Sequence, residues 1–324
     1  MSLPSGLGGT SRTSVSPLEV RLLRNGIAES RHRVHAVVCD GRGRVLMRAG
    51  DPQQLSFVRS ALKPFQATVF VASGAADACG CGERGLAIAC ASHAGTAGHA
   101  REAFRLLWGA EIEPEQLQCP IPAGGSSALE HNCSGKHAAF LATCKRLGWS
   151  SESYLQSEHP LQQEVLKRVA ELLALPAAEL VVARDDCGAP TLQLQLAQMA
   201  LLYAHLGAGE QPDLERLLRA MLAHPELVAG EGRFDTELMR QGHGQVLSKG
   251  GAEGIQCLSR VGDGLGLAIK VEDGAARAKH AVALHLLEQL DWLTPEALGD
   301  LRRQFLEPAA HLQLQVVGEL RNTA

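Results

Sequence analysis

The sequence predicts a mixed α+β fold: one mixed sheet that opens on an antiparallel meander, with an inserted helical lobe. Three observations point there. Strand-like runs punctuated by turn residues open the chain, a leucine-spaced block fills its middle, and glycine-separated strands followed by a long helix close it. Strands at both ends around a helical centre are expected to form one domain over 18–324, with the lobe at roughly 92–224. Residues 1–17, rich in serine and glycine, are expected to be a flexible tail.

Taken in order, Glu19–Arg24 and Arg31–Cys39 alternate as strands on either side of Asn25-Gly26, the strongest short hairpin signal. A turn at Asp40–Gly43 leads to a third strand, Arg44–Arg48. Arg59 to Gln66 then passes from strand-like to helical composition, with a helix running to about Ser73. The run Gly85–Cys90 leads into Ser92-His93-Ala94-Gly95, where Ser92 by itself reads as the cap of a helix over Ala97–Trp108. The glycines around Cys79 and Cys81 mark a loop. A helix opens at His131–His137 and continues to Leu147. Its Gly135 costs about 1 kcal/mol against alanine inside a helix, which points to the first turn or to a close approach. Residues 151–224 read as mainly helical, broken by a short strand, Leu180–Ala183, and by the loop Arg184–Pro190. Strands follow at Gln245–Ser248, Gly254–Leu258 and Leu265–Val271, then helices at Ala275–Leu290 and Pro295–Glu307 and a last strand at Leu312–Val317.

Hydrophobic residues make up 45% of the chain and charged residues 20%, enough for a sizeable core. The formal net charge of −4 and the lack of basic runs argue against nucleic acid. No apolar stretch reaches a membrane span and no signal core precedes Pro17, so a cytoplasmic location is expected. Nine cysteines, an odd number scattered over a long chain, suit reduced thiols.

The chemistry centres on Ser60-Ala61-Leu62-Lys63-Pro64. Residues three apart share a helix face, so Lys63 is placed to reach the Ser60 hydroxyl. Pro64 fits only a helix's first turn, which keeps Ser60 near the mouth, where free N–H groups favour negative charge. A lysine among apolar groups and other cations loses its proton readily and can activate a serine. Cys133 and Lys136 repeat this one-face spacing. Asp185, Asp186 and Cys187 occupy one glycine-proline loop, either a plain turn or a binding loop.

The order of Ser60-x-x-Lys63, a helical middle and a late Lys249-Gly250-Gly251 resembles the serine β-lactamase and penicillin-binding group, although Ser-Asp-Asn is missing and glycine stands where that group has threonine. A fuller resemblance covers nearly the whole chain. Arg59–Pro64, Cys90–His93, Asn132–His137, Asp185–Pro190 and Lys249–Gly254 together resemble the thermolabile, rhizobial-type L-asparaginase II family. The resemblance implies a β-lactamase/penicillin-binding-protein-like fold, an antiparallel sheet flanked by helices with a helical lobe, and hydrolysis of L-asparagine to aspartate and ammonia. It implies two serine–lysine pairs in one site, Ser60 with Lys63 and Ser92 with Lys249, with Lys270 the alternative second lysine. It also implies a supporting zinc held by Cys133, Lys136 and Cys187, and a homodimer.

On that basis Ser60 is the expected nucleophile, with Ser92 sharing its proton network. Arg59, Lys136 or Arg233 would hold the substrate's α-carboxylate, Asp185 its α-ammonium, and His93 would join the binding residues. Two other functions compete: a β-lactam or peptidoglycan acyl enzyme, and a non-enzymatic zinc-binding protein with the serines as caps.

Overall fold

Asn25 and Gly26 both adopt positive φ, 48° and 81°, the requirement of a type I′ hairpin turn, so the first sequence signal is realised as written. It joins β1 (Leu18–Arg24) to β2 (Ile27–Asp40) in a computed structural model that describes residues 15–307 and 309–323. The expected tail lies outside the described residues except for its last three.

β2 is fourteen residues long and serves two partners on one edge. Its first half pairs with β1, and its second half with β3 (Val45–Ala49). A short strand, β4 (Leu55–Phe57), leads to a 3₁₀ turn over Arg59–Leu62. Helices α1 (Lys63–Ala72), α2 (Ala75–Ala78), α3 (Glu83–Ala89), α4 (Ala97–Gly109), α5 (Ser134–Leu147) and α6 (Pro160–Leu173) follow. Then come β5 (Val181–Arg184), β6 (Pro190–Gln195), α7 (Leu196–Ala208), α8 (Pro212–Ala223), α9 (Pro225–Val228) and α10 (Phe234–Gln241). The chain closes with β7 (Val246–Gly250), β8 (Ile255–Arg260), β9 (Leu265–Val271), α11 (Ala276–Gln289), α12 (Pro295–Leu306), β10 (Leu312–Val317) and β11 (Arg321–Asn322).

The main sheet runs β10-β1-β2-β9-β8-β7, with β3 and β11 extending the far half of β2, and every pair is antiparallel. Both faces are covered. Val34, Ala36 and Val38 of β2 point to a core shared with α11 and α12, while Val37 and Cys39 point to a second core shared with α7 and the lobe helices. This period-2 division fixes register, because a one-residue slip would exchange the two faces. The expected class, an antiparallel sheet flanked by helices with a helical lobe, is the one the chain builds.

Two local expectations are corrected. Residues 190–195, read as part of a helical block, form β6, the centre of a small β4-β6-β5 sheet. Thr-Leu-Gln-Leu-Gln alternates with period 2 and then runs without punctuation into the leucines of α7, which hides the boundary. Nor does Ser92 cap α4. Thr96 does so, its hydroxyl accepting from the His99 amide while His99 Nδ1 accepts from the Thr96 amide.

Candidate active site

Val58 donates to the Leu192 carbonyl of β6 at 2.9 Å, and Arg59 then takes a left-handed φ of 51°, unusual for a residue with a side chain. This kink starts the 3₁₀ turn that carries Ser60, and Pro64 sits in the first turn of α1 as its missing N–H requires. Lys63 is buried, and its ammonium donates to the Ala91 carbonyl at 2.6 Å, to Ser92 Oγ at 2.9 Å and to the Asn132 carbonyl at 3.4 Å. The expected Lys63 contact with Ser60 is therefore replaced by one with Ser92. Three acceptors converge where Lys63 points, and a buried ammonium has three donors to satisfy. Ser60 Oγ has no hydrogen-bond partner among the described residues, but it lines the same cleft as Ser92.

Ser92 follows α3 through the buried Cys90 and Ala91, and its amide is tied to the Val228 carbonyl at 2.8 Å. From the opposite side β7 delivers Lys249, fully buried, whose ammonium lies 2.9 Å from Ser92 Oγ and 2.8 Å from the Gly250 carbonyl. One hydroxyl oxygen thus stands between two lysines. Burial brings the Lys249 pKa down to about 7; Asp235 opposes the change, and the cations Lys63 and Lys279 add to it. Lys270 is not at this point, because its ammonium donates to the Glu253 carbonyl.

Other expected site residues are engaged differently. Arg59 and Asp185, assigned to opposite ends of a substrate, bond to each other at 2.8 Å, and Arg59 also holds Asp186 at 2.5 Å. His93 is buried with both ring nitrogens committed: the Gly95 amide donates to Nδ1 at 3.1 Å, and Nε2 lies 2.9 Å from Ser134 Oγ. Burial, with His99, Lys63 and His131 nearby, holds His93 well below the usual histidine range. It therefore stays neutral and braces the loop behind Ser92. Arg233 is exposed and lines the cleft.

Cys133, Lys136 and Cys187 do come together. Lys136 Nζ donates to Cys187 Sγ at 3.0 Å, and all three side chains are buried. Gly135 makes this possible, since a Cβ there would stand 2.1 Å from the Ile88 carbonyl, so α5 lies against α3 at its first turn. A hydrogen bond from Cys187, helped by Lys63 and Lys136, holds the Cys133 thiol well below its usual pKa despite burial. Burial disfavours the Lys136 ammonium, yet Cys133 and Cys187 outweigh it and raise its pKa. Among the described residues no three His, Cys, Asp or Glu side chains gather as metal ligands, so a metal here depends on the Lys136 amine. Two converging thiols suit zinc, and Lys136 joins them as a ligand only once a metal displaces the proton that the two cysteines hold on it here.

The L-asparaginase II family model matches residues 20–322, nearly all of the described chain. This chain belongs to the L-asparaginase II family. No match was found among curated proteins. Solved structures resemble it only distantly. Mglu in its native form is 15% identical with a TM-score of 0.49, covering 80% of this chain and 61% of that one. Mglu in its glutamate form is 14% identical with a TM-score of 0.47, covering 81% and 62%. A β-lactamase, Mb2281c from Mycobacterium bovis, is 12% identical with a TM-score of 0.37, covering 84% and 94%. The chain thus spans a little over three fifths of the Mglu chains it matches.

In this family member the cleft beside Ser92 has a volume of about 480 Å³, and Asp235, Gln256 and Lys279, which no sequence motif announced, share its lining with Ser60, Asn132 and Arg233. Asp235, from α10, accepts from Ser248 Oγ at 2.7 Å, from the Gly250 amide at 2.8 Å and from Gln256 Nε2 at 2.7 Å. Burial would raise this carboxyl; Lys249, Lys279 and the hydrogen bonds from Ser248 and Gly250 outweigh it and hold the pKa below the ordinary carboxylate value. Asp235 thereby anchors the end of β7 and so the position of Lys249. The acid two residues after Arg233, opening a helix, is the only local hint of it.

Proposed function

We propose that this chain is an L-asparaginase that hydrolyses the side-chain amide of L-asparagine to aspartate and ammonia, with Ser92 as nucleophile. The observation that carries this function is the position of Ser92 Oγ, 2.9 Å from both Lys63 and Lys249 at the floor of a cleft. Lys249, neutral for much of the time at pH 7, takes the Ser92 proton as Oγ bonds to the amide carbon. Lys63 stays in place as a donor that orients Oγ and stabilises its developing charge. The C–N bond then breaks, the departing nitrogen takes the proton from Lys249, and ammonia leaves an aspartyl ester on Ser92. Water hydrolyses that ester by the same steps in reverse order of proton movement. Ser60, whose hydroxyl has no hydrogen-bond partner among the described residues and which lines the cleft, is placed to donate to the amide oxygen.

Zinc, held by Cys133, Lys136 and Cys187, would supply positive charge and rigidity behind Asn132, whose carbonyl accepts from Lys63. The proton transfers run between Ser92 and Lys249 and do not pass through it.

Ammonia release from L-asparagine is the test. Ser92→Ala should lose at least about a thousandfold in kcat, and Ser60→Ala clearly less, because one removes the nucleophile and the other a donor. Glutamine should be poorer by about 10- to 200-fold, the worth of one misplaced methylene. Near-normal turnover by folded Ser92→Ala, with Ser60→Ala inactive, would transfer the nucleophile to Ser60.

A further inference from the structure

Gln256 is 1% exposed and lines the cleft, yet its Oε1 has no hydrogen-bond partner among the described residues. The amide cannot simply be turned over. Its Nε2 donates to Asp235 Oδ1 at 2.7 Å and to Ser248 Oγ at 2.8 Å, and exchanging N and O would set an oxygen against a carboxylate. A buried acceptor left unpaired costs free energy unless a ligand supplies the donor.

Beside it stands Lys279 of α11, half-buried and forming no ion pair among the described residues; its hydrogen bond is a long one, 3.4 Å to the Gly251 carbonyl. Both groups, with Asp235, surround one point. A Cβ built on Gly250 would lie 3.1 Å from Lys279 Nζ, 3.2 Å from Asp235 Oδ2 and 3.2 Å from Gln256 Oε1. Even the Cβ of an alanine at 250 would be crowded there, so the three groups converge closely on the backbone at the edge of the cleft. The same residue's carbonyl holds Lys249, so the point lies next to the amine that contacts Ser92.

We infer that Gln256 and Lys279 form the recognition site for the zwitterionic head of an α-amino acid, Lys279 holding its carboxylate and Gln256 Oε1 accepting from its ammonium. Asp235 lies behind the ammonium and Arg233 at the cleft wall, so the positive and negative features of the wall match a zwitterion better than a lone anion or cation. Arg59 and Asp185 already neutralise each other, whereas Lys279 forms no ion pair among the described residues and has Asp235 as a nearby negative charge. The assignment rests on the amide-hydrolase function proposed above and names how that substrate is held.

The experiment combines truncated substrates with truncated side chains. For L-asparagine, Lys279→Met and Gln256→Leu should each raise KM about 10- to 100-fold, the effect of losing one charge-assisted hydrogen bond. 3-Aminopropanamide lacks the carboxylate and should be insensitive to Lys279→Met; succinamic acid lacks the ammonium and should be insensitive to Gln256→Leu. Calorimetry with L-aspartate reads the head site without any turnover, and both variants should bind it at least about tenfold more weakly than the unaltered chain. Equal losses on intact and truncated amides, unchanged aspartate binding in the variants, or no aspartate binding by the unaltered chain would each overturn the assignment. Absence of ammonia release from every amide would overturn the hydrolase function instead, while the calorimetric comparison would still decide the head site.

Discussion

Lys249 should impose an acid limb on kcat/KM with a midpoint near pH 7. Its ordinary ammonium value of 10.5 falls to about 7 here, a preference for the neutral amine on the order of 5 kcal/mol. At pH 7.5 an exposed lysine is neutral in about one molecule in a thousand; Lys249 is neutral in more than half. The sign is set by the role: a base must be deprotonated, so activity rises with pH through 7 and falls about tenfold for each unit below it. Asp235 works against deprotonation more than any other group, and Asp235→Asn should therefore move the limb to lower pH even where the maximal rate drops. The assay is initial ammonia release at subsaturating L-asparagine from pH 5 to 9, with folding checked by circular dichroism at each end. A limb centred between 4 and 5, or a flat profile down to pH 5, would assign the base to a carboxylate or to no titrating group and refute the role of Lys249.

Gly135→Ala should destabilise the protein by about 1–3 kcal/mol in urea unfolding, because the new Cβ must displace the Ile88 carbonyl from 2.1 Å; an unchanged midpoint would mean that α3 and α5 separate freely. Chelation, or Cys187→Ser, should raise KM for L-asparagine more than it lowers kcat, since in the proposed mechanism Ser92 and Lys249 supply nucleophile and base without the metal. Complete loss of kcat on chelation, restored by added zinc, would place the metal on the reaction path, while under a tenth of an equivalent of zinc in reduced protein would make these cysteines ordinary thiols.

Local instructions are legible in the sequence itself. Asn25-Gly26 specifies a turn because both residues tolerate positive φ, and Pro64 marks the start of α1 because it lacks an N–H. The strands Leu265–Val271 and Leu312–Val317 and the helices over 97–109 and 134–147 follow from periodicity and punctuation. Gly135 is marked by its cost inside a helix, while its reason, contact with α3, exists only in the fold.

Side-chain partners are another matter. The spacing of Ser60 and Lys63 is a true local regularity, but it sets backbone positions and not where a long, flexible ammonium finds its acceptors. Lys63 turns to Ser92, 29 positions away, and Lys249 reaches the same oxygen from 157 positions away. Thr96, not Ser92, is the cap of α4, which leaves the Ser92 hydroxyl available to the lysines. Gln256 and Lys279 belong to no motif at all: one is an alternating residue of β8, the other a surface-type residue of α11, and only the packing of α11 on β8 and β9 sets them around Gly250. Motifs in this chain mark where the backbone turns. The charge balance of the cleft arises from residues that meet only once the sheet and its helices are assembled, because burial, which lowers the Lys249 pKa and leaves Gln256 Oε1 without a partner among the described residues, is a property of the fold and not of any segment.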